Sequence, residues 1–181
     1  MNSPWYNHIS SLLHQSGLSY IWDTHSFPNH SWLKNTYSHI LGDQQLQCWS
    51  SEVSSNSKCV VYRIYKETLK FETYLTALPK KWSLTLSRLR TGNHRLPVVA
   101  QRYENVPRDQ RICTLCDKHD IGDEYHYILK CPSFNELRHE LLPSYCWVRP
   151  NILKLQRLLN DKNVDSMKKL AIFILHVFKS V

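Results

Sequence analysis

Cys113, Cys116, His126 and Cys131 stand in the pattern C-x2-C-x9-H-x4-C. Three thiols and one imidazole are the donor types of a closed tetrahedral zinc site, in which protein fills every position. The two-residue spacer lets a tight turn aim Cys113 and Cys116 at one centre. His126 and Cys131 are five apart and would face different ways on a continuous helix. They converge if a short helix carrying His126 stops before Cys131. Pro132 favours that stop, because the residue before a proline is pushed out of helical geometry. A closed site leaves no position for water, so the expected Zn2+ is a staple and not a catalyst. The competing readings are thiols and a histidine packed by chance, or a disulfide, which needs an oxidising compartment.

The chain has 181 residues, enough for one ordinary domain or one core plus a small metal-stapled module. Hydrophobic residues make up 42%, which supports a packed core and argues against wholesale disorder. The 4 glycines argue against a turn-rich all-β fold. The opening residues do not read as a signal peptide, and the longest apolar run, Leu170 to Leu175, is far too short to span a bilayer. The expectation is a nuclear or cytoplasmic chain, not secreted, with reduced thiols and no membrane partner. Cys48, Cys59 and Cys146 lie outside the motif and read as ordinary buried residues.

The periodicity predicts a mainly α protein, a helical bundle with a small inserted CCHC zinc knuckle. Ser3 caps a first helix, Pro4 to Gln15, and Leu18 to Trp22 is a connector that packs inward. A second helix follows Asn29 and closes at Gly42, and Asp43 caps a third that carries Leu46, Trp49 and Val53. Ser50 to Ser57 reads as a loop and internal hinge. Cys59 to Lys66 fits a strand or a buried helix equally well. Further helices are expected over Phe71 to Leu78, Trp82 to Arg90, Phe134 to Leu142, Ile152 to Leu159 and Val164 to Phe178, and Leu96 to Tyr103 is expected to be extended. The last helix has an apolar stripe of Val164, Met167, Leu170, Ile174, Val177 and Phe178. The expected division is a helical region over 1–79, a basic segment plus knuckle over 80–142, and C-terminal helices over 143–181.

The formal net charge is +8, and the segment from Lys80 to Arg111 carries eight basic against two acidic residues, a net +6. Six of the eight are Arg88, Arg90, Arg95, Arg102, Arg108 and Arg111, whose planar forks suit phosphate. A clustered patch beside a metal module is an electrostatic footprint for RNA or DNA. The plain alternative is the solvated face of a basic protein. Arg88 and Arg90 are two apart on one helix, so only one of them is expected to face a ligand squarely. Tyr125 and Tyr127 flank His126, where they shield a metal site more readily than they stack on bases.

Several of these residues together resemble a known family. The signature is Leu84-Thr-Leu-Ser-Arg-Leu-Arg-Thr-Gly-Asn-His94, then Tyr103, Pro107-Arg108, Arg111-Ile-Cys113-Thr-Leu-Cys116, Asp123-Glu124-Tyr-His126, Cys131 and Arg138. It is similar to the region after the polymerase in LINE-type (non-LTR) retrotransposon reverse transcriptases. Asp43 to Trp49 and Phe71 to Leu75 are similar to the connecting region of the same proteins. The resemblance implies a detached C-terminal piece that binds template RNA or target DNA, with a retroelement polymerase as a possible partner. The polymerase core itself is missing, since no Asp-Asp pair occurs in the sequence. After Cys131 the acids are Glu136, Glu140, Asp161 and Asp165, which do not form a nuclease set. The chain is therefore expected not to be an enzyme. A zinc-stabilised helical adaptor that binds protein is the alternative.

Overall fold

A computed structural model describes residues 3–181. They divide into two compact units, one ending at Glu52 and the other running Val53–Val181. Among the described residues the fold is mainly α without strands, and one isolated antiparallel bridge joins Ile112 to Ile121. No helix among them is long and apolar enough to cross a membrane.

In the first unit α1 (Pro4–Gln15) starts where the Ser3 hydroxyl accepts the Tyr6 amide at 3.3 Å, with Pro4 supplying a preset φ. Leu18 to Trp22 is not a bare connector: α2 (Ser19–Asp23) forms there and buries Ile21 beside Leu13 and Leu18. α3 (His30–Ser55) lays Leu33, Tyr37 and Ile40 on that small core. It also overturns two expectations. The helix runs through Gly42 and Asp43, and it continues over most of the serine-rich stretch. A glycine inside a helix costs only about 1 kcal/mol relative to alanine, and Gly42 has open space around its Cα. α3 buries none of its residues fully, so Cys48 is exposed, contrary to expectation.

The second unit is built on α6 (Lys80–Arg90) packed against α11 (Val164–Ser180). α11 buries Met167, Leu170, Ala171, Phe173, Ile174 and Val177. Large side chains buried this way contribute about 1.5–3 kcal/mol each. Its start is set by Asn163, whose side chain accepts the Ser166 amide at 3.0 Å. α4 (Val60–Tyr65) settles the ambiguous stretch as helix, and α5 (Tyr74–Ala77) covers only part of the expected Phe71 to Leu78. α7 (Pro97–Ala100) and the turns after it replace the expected extended segment. Pro97 at a first helical position starts that turn, and Val98 and Val99 are buried by it. α8 (Asn135–Leu141), α9 (Ser144–Trp147) and α10 (Ile152–Leu159) complete the unit. Cys146 on α9 is buried as expected, whereas Cys59 before α4 is only half-buried.

The knuckle shares this core. Tyr127, Phe134 and Phe173 form an edge-to-face chain with ring centroids 6.2 and 6.1 Å apart, running from the knuckle into α11.

Candidate metal centre

Cys113 lies on the first arm of a small hairpin and Cys116 in the bend that joins its arms. The Cys113 amide donates to Asp120 O at 2.9 Å and the Gly122 amide to Arg111 O at 2.7 Å. Gly122 is required by crowding. A Cβ there would meet Pro97 Cγ at 2.9 Å and Ile112 O at 3.1 Å, while the Gly122 carbonyl accepts the Val98 amide at 3.1 Å. Gly122→Ala is expected to cost about 1–3 kcal/mol by forcing these backbones apart. A urea midpoint equal to that of the native chain would show the packing there to be slack.

Asp123 then opens the second half. Its Oδ1 accepts the His126 amide at 2.9 Å, and burial raises its carboxyl above the usual range. His126–Lys130 form a π turn, whose i→i+5 bond runs from the Cys131 amide to His126 O at 2.7 Å. The helix carrying His126 does stop before Cys131, which has φ −54° and ψ 120°. The wide turn brings the two residues together across their five-residue spacing.

The four candidate ligand atoms all lie within 4.8 Å of one another. Cys113 Sγ is 3.9 Å from Cys131 Sγ, and Cys116 Sγ is 3.4 Å from His126 Nε2. A tetrahedron with metal–sulfur arms of about 2.3 Å has edges of about 3.8 Å. The cluster therefore has the size of a four-coordinate metal site, and it could hold a metal ion.

The surroundings fit a charged centre. Tyr127 is fully buried and its hydroxyl has no hydrogen-bond partner of its own. The Cys113 thiol stands beside it, and as a thiolate would accept from it. Asp120 Oδ2 lies 3.3 Å from His126 Nδ1, not in hydrogen-bond geometry but on the side from which a carboxylate orients a ligating imidazole. Burial lowers the His126 pKa and so favours the neutral ring that binds metals. Burial pushes the Cys131 thiol up to about 11. At Cys113 burial acts in the same direction, but the neighbouring Tyr127 hydroxyl, Leu115 amide and Cys116 and Cys131 thiols together outweigh it and lower the pKa. Arg138, fully buried, donates to Ile128 O at 2.8 Å, Tyr127 O at 3.3 Å, Cys131 O at 2.8 Å and Asn135 Oδ1 at 2.7 Å.

The six arginines go to three places. Arg90 is buried between the rings of Tyr65 and Tyr74, at 4.6 and 4.3 Å, and bonds Glu72 Oε2 at 2.9 Å and Leu159 O. Arg88 and Arg95 are exposed and line one cavity with Asn93, His94 and Phe178. Arg102, Arg108 and Arg111 line another. His94 Nε2 bonds Glu124 Oε1 at 2.8 Å, so these two residues of the sequence signature brace the segment next to the hairpin. Tyr125 is half-buried with its hydroxyl on Pro150 O at 2.9 Å, which fits shielding better than stacking on bases. Sequence reading had no means of finding Asp120 beside the histidine, because nothing in its spacing marks it.

Comparison with known protein families, curated proteins and solved structures finds no match for this chain. The class that the structure defines is a mainly α protein with a Cys3His metal-binding cluster.

Proposed function

We propose that this chain is a zinc-stapled helical protein that binds nucleic acid, and that it acts by binding and not by catalysis. The donor set of three thiolates and an imidazole suits zinc among the divalent ions. The observation that carries the nucleic-acid reading is the charge of the unit that holds the knuckle. The Val53–Val181 unit holds 22 Lys and Arg against 12 Asp and Glu, a net +10 from the two counts, while the remaining residues hold 1 against 3, a net −2. Arg88, Arg95 and Arg108 reach the surface of that unit. Phosphate backbones are the partners such a footprint fits. The similarity of Tyr74 to Arg138 to the region after the polymerase in non-LTR retrotransposon reverse transcriptases supports the same reading. It also makes a retroelement polymerase a candidate partner.

The test is a titration with single-stranded RNA, duplex DNA and a hairpin at several salt concentrations. Binding is expected to weaken linearly in a log–log plot, and R88Q/R95Q is expected to flatten the slope by about 1.4–1.8 if both contact phosphate. No salt-dependent binding to any of the three would sink the proposal.

One feature favours the adaptor reading instead. A groove of about 400 Å³ in the first unit is lined by Trp5, Tyr6, Ile9, Trp22, Phe27 and Pro28, with Phe27 97% exposed. That apolar surface would take first place if nucleic acid failed to bind.

A further inference from the structure

A second cavity in the Val53–Val181 unit, of about 320 Å³, draws together cations that are far apart in sequence. Lys58 and Arg63 come from the start of the unit, and Arg102, Arg108 and Arg111 from the segment that leads into the knuckle. Glu124 is the one carboxylate in the lining, and it is already bonded to His94 at 2.8 Å. Arg111 builds the wall, since its Nε and Nη1 donate to Val106 O and Val98 O, each at 2.8 Å. Arg63 Nη1 donates to Ser54 O at 2.9 Å, and Arg108 Nη2 lies 3.6 Å from Asp123 Oδ2. Each of these two forks keeps further N–H groups for a ligand.

Lys58 is held in place by its backbone. Gly92 has φ +63°, and a Cβ on it would sit 2.5 Å from Lys58 O, so the Lys58 loop packs directly on the end of α6. Beside the cavity stands Tyr103, 67% exposed, with Lys58 Nζ 5.7 Å and Arg102 Cζ 5.2 Å from its ring centroid. Cations gathered in a concavity focus their field on an anion. Guanidinium forks match phosphate oxygens at two points. An exposed aromatic next to such a groove is a platform on which any base can stack.

We propose that this cavity is a nucleotide subsite: one phosphate of a single strand sits against Lys58, Arg63, Arg102 and Arg108, and the adjoining base stacks on Tyr103. This rests on the nucleic-acid reading above. The phosphate is an internal phosphodiester or a strand's terminal phosphate, and the two are separable by experiment.

The test uses the full chain with one labelled oligoribonucleotide sequence, made with a 5′-phosphate and with a 5′-hydroxyl. K58Q/R63Q is expected to weaken binding at least about 10-fold and to lower the salt slope by about 0.7 for each phosphate that is no longer neutralised. Tyr103→Ala is expected to weaken binding about 5-fold or more by removing the stacking platform. Both variants change exposed side chains, and unchanged melting temperatures would show that they fold. A preference for the 5′-phosphate strand that disappears in K58Q/R63Q identifies the terminal phosphate. Equal weakening of both strands identifies an internal one. If K58Q/R63Q binds both strands as the native chain does, with the same slope, while R88Q/R95Q does not, the subsite is overturned and the nucleic-acid reading stands. If the native chain binds neither strand, both fall together.

Discussion

Cys131→Ser is expected to abolish stoichiometric zinc binding and to lower the melting temperature of the Val53–Val181 unit by roughly 15 °C or more. Structural zinc contributes about 10–16 kcal/mol in small fingers at neutral pH. An ordinary domain has only about 5–15 kcal/mol of net stability. In this unit the ligands are not on a separate appendage. Cys113 and Cys131 belong to the same buried cluster as Leu86, Leu170 and Phe173, and Tyr127 between the ligands reaches Phe134. Loss of the metal should therefore loosen the packing under α11 and not merely fray the hairpin. About 4 kcal/mol lost from a unit of this size corresponds to roughly that shift in melting temperature. Elemental analysis and thermal melts with and without chelator give the readout. A freshly reduced chain that holds no zinc and melts identically in chelator would sink the idea.

The second large effect is expected at Arg138. Taking a guanidinium out of water costs several kcal/mol unless its charge and its donors are matched. The donors are matched by three carbonyls and Asn135, all neutral. The charge would find its match in a metal bound at the cluster, since three thiolates on a divalent ion would carry a net −1. Burial lowers the Arg138 pKa, and the neighbouring Cys131 sulfur works the other way. Arg138→Met would leave the carbonyls at the end of the π turn without donors and the thiolate centre without its counter-charge. The expected cost is about 3–5 kcal/mol, with zinc affinity reduced about 10- to 100-fold, as for other groups that support metal ligands. Arg138→Lys keeps the charge and should recover more of the affinity than of the stability. Equal affinities for Met and Lys variants would show that the charge is irrelevant to the site.

What could be read in the sequence was whatever local chemistry decides. The four ligands announce themselves by type and spacing. α1 is bounded by Ser3 and Pro4, and α11 is marked by its apolar stripe. The failures lie where a weak local signal met a stronger requirement elsewhere. Gly42 reads as a helix end, yet α3 passes through it, because a glycine inside a helix costs only about 1 kcal/mol relative to alanine. Leu96 to Tyr103 reads as extended, but Pro97 opens a helical turn there that buries Val98 and Val99. That only one of Arg88 and Arg90 can face outward follows from helix geometry. Which one does so depends on Tyr65, Tyr74 and Glu72, and no rule of spacing connects them. Lys58 and Arg63 are invisible for the same reason. They join Arg102 and Arg108 only after folding.

The turn at His126–Lys130 also constrains chain length. On an α-helix, residues four apart are about 40° out of phase and residues five apart about 140°. An α-helical route between two ligands would thus favour a spacing of four. It would also rotate the residues between them by part of a turn, and Tyr127, Ile128 and Leu129 are all buried where they stand. The one additional residue, absorbed by the wider turn, lets the ligand pair and the three core side chains hold their directions at once. Deleting any single residue between His126 and Cys131 would restore a regular helix at the expense of one set or the other. The length of this segment is accordingly as fixed as the identity of the ligands at its ends, and conservative substitutions within it should be tolerated far better than a change in residue count.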